Sequence, residues 1–89
     1  MNRATLVLAT DDLSLYIGGG REGWAKPALE VGAGTVLDLA DTVFDERGHC
    51  HIVTYGDGTY ALDSRDQEIV SYDVSQHRLR TYPGKYRVL

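Results

Sequence analysis

Three stretches of the 89-residue chain bring together residue types that could do chemistry. The first is His49-Cys50-His51. On a strand, residues i and i+2 point the same way, so the two imidazoles could share a metal ion while the thiol faces the opposite side. Two ligands are too few. Structural zinc takes four and catalytic zinc usually keeps three, so Asp45 or a residue from another strand would have to join His49 and His51. Cys50 as a nucleophile would need a base within hydrogen-bond reach, and a strand turns both neighbouring imidazoles away from it. A buried structural thiol beside a half-exposed strand end accounts for the triplet without any chemistry.

The second stretch is the loop 17–24, IGGGREGW. It lacks the Lys-Ser/Thr pair of a phosphate-binding loop, and no helical pattern follows to offer an N-terminus to an anion. It carries Arg21 and the only tryptophan, Trp24. Such a residue either folds back on the body as a lid or stands out as an interface anchor. The third stretch is the basic C-terminal end. A hairpin about Pro83-Gly84 puts Leu79, Thr81, Tyr86 and Val88 on one face and Arg78, Arg80, Tyr82, Lys85 and Arg87 on the other. Arg80 would then sit opposite Arg87, an arrangement that needs an anion between them. Asp73 on the neighbouring strand can supply it. So can a nucleic-acid phosphate or a partner's carboxylate, with Tyr82 available for stacking. Asp11, Asp12, Asp57, Asp63 and Asp66 all fall at turns, which explains them without a catalytic pair.

These residues need strands to position them, and the pattern supplies strands almost everywhere. Residues 4–9 and 13–17 predict a hairpin turning at Asp11-Asp12, with Leu8 facing Leu15 and Leu6 facing Ile17; a short helix from Asp11 is the alternative. Residues 28–31 form a short strand, Gly32-Ala33-Gly34 turns the chain, and 35–39 runs with Leu37 and Leu39 inward. Asp41 would then point into the core unless a bulge near 40–42 intervenes. Glu46-Arg47-Gly48 suits a three-residue loop. The clearest signal is 51–64, HIVTYGDGTYALDS. A turn at Asp57-Gly58 pairs Tyr55 with Tyr60 and Val53 with Leu62, and puts these four on one apolar face. Residues 64–67 make a polar turn or one turn of 3₁₀ helix. Residues 68–74 alternate again, with Val70, Tyr72 and Val74 on one face, and a loop at 75–78 would set Val74 against Leu79, Tyr72 against Thr81 and Asp73 against Arg80.

The expected fold class is therefore all-β, in a single domain spanning 1–89: a small barrel or a compact antiparallel sandwich of about seven short strands. Over 31–74 a small-residue turn enters a strand, a polar loop follows, then a tight Asp-Gly hairpin, a short polar turn and a further strand. This order resembles SH3-like small barrels of the Tudor and KOW type. The aromatic residues that line the peptide groove of true SH3 domains have no clear matches, so the resemblance implies the fold and not proline-rich peptide binding.

Composition narrows the function classes. Hydrophobic content is 43% and charged content 25%, ordinary values for a globular protein. One cysteine excludes an intramolecular disulfide and fits a reducing, cytoplasmic setting. The N-terminus lacks the features of a signal peptide, and no apolar run approaches a membrane span. Size alone suggests a bacterial, phage or plasmid protein. The net charge of −4 hides an asymmetry: residues 1–73 hold all 13 acids and five of the nine bases, and 74–89 hold four bases and no acid. With no cofactor motif and no catalytic constellation, the expectation is a non-enzymatic protein-binding module, a small acidic inhibitor or adaptor. Its binding residues would be Trp24, Arg21, Arg78, Arg80, Tyr82, Lys85 and Arg87, and an unpaired edge strand would allow a homodimer. The alternatives are a nucleic-acid-binding barrel using the basic C-terminal hairpin, and a metal-binding protein or enzyme using His49 and His51.

Overall fold

A computed structural model of the chain describes residues 5–17, 27–45 and 48–89, with the backbone alone for 44, 45, 48 and 49. It is all-β, and the described residues form nine strands in antiparallel sheets: β1 Thr5–Ala9, β2 Leu13–Leu15, β3 Leu29–Val31, β4 Val36–Asp45, β5 Gly48–Tyr55, β6 Gly58–Asp63, β7 Ile69–Asp73, β8 Arg78–Tyr82 and β9 Tyr86–Val88. A 3₁₀ turn, Ser64–Asp66, follows β6. Five strands form the main sheet in the order β6-β5-β4-β1-β9, while β2–β3 and β7–β8 are two-stranded ribbons. Among the described residues no sheet closes into a barrel, and no helix is long and apolar enough to cross a membrane.

The core lies on one face of the main sheet. Val7, Leu37, Val53, Leu62 and Tyr86 point into it, and the β2–β3 ribbon covers them with Leu13, Leu15 and Val31. Val53 and Leu62 are both 0% exposed, so the hairpin of β5 and β6 is the scaffold its alternation suggests. Its turn, however, is Gly56-Asp57 and not Asp57-Gly58: Tyr55 pairs with Gly58, Val53 with Tyr60 and His51 with Leu62. Gly56 takes φ 57°, the left-handed value required at the first central position of a type II′ turn. Gly58 lies in the strand, with the Tyr60 ring packed over it. Because the pairing moves by two residues, every side chain keeps its expected face.

The bulge expected near 40–42 is present. Leu39 pairs with Val53 and Asp41 with Ile52, so Ala40 is the extra residue and Asp41 turns outward to solvent. That outer face carries a second small cluster in which Cys50 and Ala61 are buried beside Tyr16, Val43 and Ile52. Gly48, expected in a three-residue loop with Glu46 and Arg47, lies instead in β5 opposite Asp45; 46 and 47 lie outside the described residues.

Two expected hairpins are overturned, for one reason. Strand β1 is central: β4 pairs along one edge and β9 along the other, with Leu8 opposite Val36 and Arg87. No edge is left for β2, which pairs with β3 and continues as a bridge from Tyr16 to Ala61 of β6. Likewise β9 is taken by β1 and does not pair with β8, so Arg80 and Arg87 are not cross-strand neighbours.

The chain reaches β9 through a backbone clamp. Lys85 N donates to Asp66 O at 2.6 Å, Glu68 N to Tyr86 O at 2.7 Å, and Thr10 N to Lys85 O at 2.9 Å. Gly84 is needed there because a β-carbon would fall 2.5 Å from Asp66 O and against the backbone of Gln67 and Glu68. Backbone cannot move aside as a flexible side chain can. Gly84→Ala is therefore expected to cost about 1–3 kcal/mol through overpacking. A thermal melt should show Tm lowered by on the order of 10 °C. An unchanged melt would mean that the clamp relaxes freely.

Candidate interaction surface

Between the two halves of the clamp, residues 69–82 leave the body as the β7–β8 ribbon. Alternation in IVSYD and RLRTY sorts its side chains onto two faces. Val70 lies opposite Thr81 and Tyr72 opposite Leu79 on one face; Ile69 lies opposite Tyr82, Ser71 opposite Arg80 and Asp73 opposite Arg78 on the other. The expected loop at 75–78 is displaced by one residue to 74–77, which moves the pairing by two, and His77 there adopts φ 52°. Asp73 organises that turn, its Oδ1 accepting from Ser75 Oγ at 2.7 Å and from Gln76 N at 3.2 Å.

The first face is apolar and uncovered. Val70 is 55% exposed, Tyr72 56% and Leu79 68%, and Val74 at the adjoining turn is 72% exposed. Ile69 and Tyr82 on the opposite face are also exposed. The alternation of 68–74 places Val70, Tyr72 and Val74 on one face, yet no described residue covers this face. Sequence periodicity says which side chains share a face; it carries no sign of whether a second layer exists to cover it.

The basic face expected at the C-terminus is dispersed. Arg80 Nε sits 3.2 Å from Asp73 Oδ2, the internal anion that the sequence offers, reached diagonally across the ribbon. Arg87 Nε donates to Glu68 Oε2 at 2.5 Å. Arg78 has no ion-pair partner among the described residues, and it, Tyr82 and Lys85 are exposed. Arg21 and Trp24 lie outside the described residues.

The histidine triplet divides as strand geometry requires. Cys50 is buried on the outer face of the sheet, while His51 points into the core side, its Nδ1 3.0 Å from the hydroxyl of fully buried Tyr86. The two rings meet edge to face. Burial pushes the Tyr86 phenol well above its ordinary pKa, with Asp66 and Asp63 adding to the effect, so it stays protonated and available as a donor. The side chain of His49 lies outside the described set. Among the described residues no three His, Cys, Asp or Glu side chains converge as a metal ion would require. Asp63, nearly buried, instead caps the 3₁₀ turn by accepting from Arg65 N at 3.0 Å, and it pairs with the Arg65 guanidinium at 2.6 Å.

Two carboxylates at the ribbon make stability depend on pH. The hydrogen bond from Arg87 holds Glu68 below its ordinary pKa, and the bond from Ser75, helped by Gln76 N, does the same for Asp73. A depressed folded-state pKa contributes stability above the unfolded value and loses it as pH falls through the folded one. Denaturant midpoints should therefore drop on acidification below about pH 4. The Glu68→Gln, Asp73→Asn double variant should flatten that slope, and an unaltered slope would show that neither pairing matters to folding. No protein-family model matches this chain, and no curated protein or solved structure matches it either.

Proposed function

We propose that this protein is a non-enzymatic protein-binding module, an adaptor or inhibitor whose contact surface is the β7–β8 ribbon. One observation carries the reading: the large apolar side chains of a whole ribbon stand in solvent, on a segment that adds none of its side chains to the core. Contiguous exposed apolar patches are rare on monomeric surfaces and mark interfaces when they occur. A two-stranded ribbon is also marginal by itself in water, so a partner that covers one face would stabilise it.

Strand order supports an SH3-like reading of the body. The sequence of pairings β6-β5-β4-β1-β9, with one 3₁₀ turn ahead of the last strand, is the order of such small barrels. On that reading the closing strand is β9 rather than β7, and the ribbon is an insertion before it. A polyanion-binding role draws less support, because two of the four C-terminal bases are engaged by the protein's own carboxylates.

Photo-crosslinking tests the surface. A photoreactive residue placed at Leu79 should give a protein adduct in the cells that make the protein. The same residue at Val36, which is also exposed but lies on the body, should not. No adduct from Leu79, or equal adducts from both sites, would remove the ribbon as the interface.

A further inference from the structure

We draw no further inference here: the strongest candidate, the exposed apolar face of Val70, Tyr72 and Leu79 on the β7–β8 ribbon, belongs to the surface already described, and nothing in the structure shows what covers it.

Discussion

Where residues 66–68 meet 84–86, two backbone segments lie close enough to exchange hydrogen bonds, and only a glycine at 84 lets them do so. The rest of the architecture depends on this contact. It delivers Tyr86 to the edge of β1 opposite Ala9, where the ring fills the centre of the core and its hydroxyl meets His51. With β9 in place both edges of β1 are paired, which forces β2 to find another partner and turns the β2–β3 ribbon into the cover of the core. The same contact pinches off residues 69–82, so that the ribbon has nowhere to pack within the body.

Charge and apolarity divide along this line. The body holds every acid but Asp73 and a compact core; the ribbon holds exposed apolar side chains and part of the basic C-terminal end. Its charges are placed for internal use. Asp73 ties the turn and Arg80 together, and Glu68 takes Arg87 at the base. What the ribbon leaves open is its uncharged face, which is the basis for reading it as a contact surface.

Local pattern was legible and long-range pairing was not. The strand run 35–39, the bulge at Ala40, the polar 3₁₀ turn, the inward faces of β5 and β6 and the shared face of Val70 and Tyr72 in β7 all follow from alternation and turn chemistry. Both displaced hairpin turns moved the pairing by two residues, a change that alternation cannot detect because it preserves every face. The failures are of another kind. Leu13 and Leu15 alternate like a partner for β1, and Tyr86 and Val88 like a partner for β8, but which strands claim a central edge is decided by competition across the whole chain. The candidate surface was hidden for a related reason. Val70, Tyr72 and Leu79 carry the pattern of a half-buried strand, and only the arrangement of the other elements shows that no described residue lies over them.

With none of its side chains in the core, the ribbon is separate from the folding unit. The most direct test replaces residues 69–82 with a short Gly-Ser linker that spans the clamp and follows amide exchange in the remaining chain. Protection of Val7, Leu37, Val53, Leu62 and Tyr86 should survive, because none of the ribbon's side chains belongs to their core. Loss of protection at these five amides would show that the ribbon is part of what holds the body together, and would contradict its assignment as a contact surface.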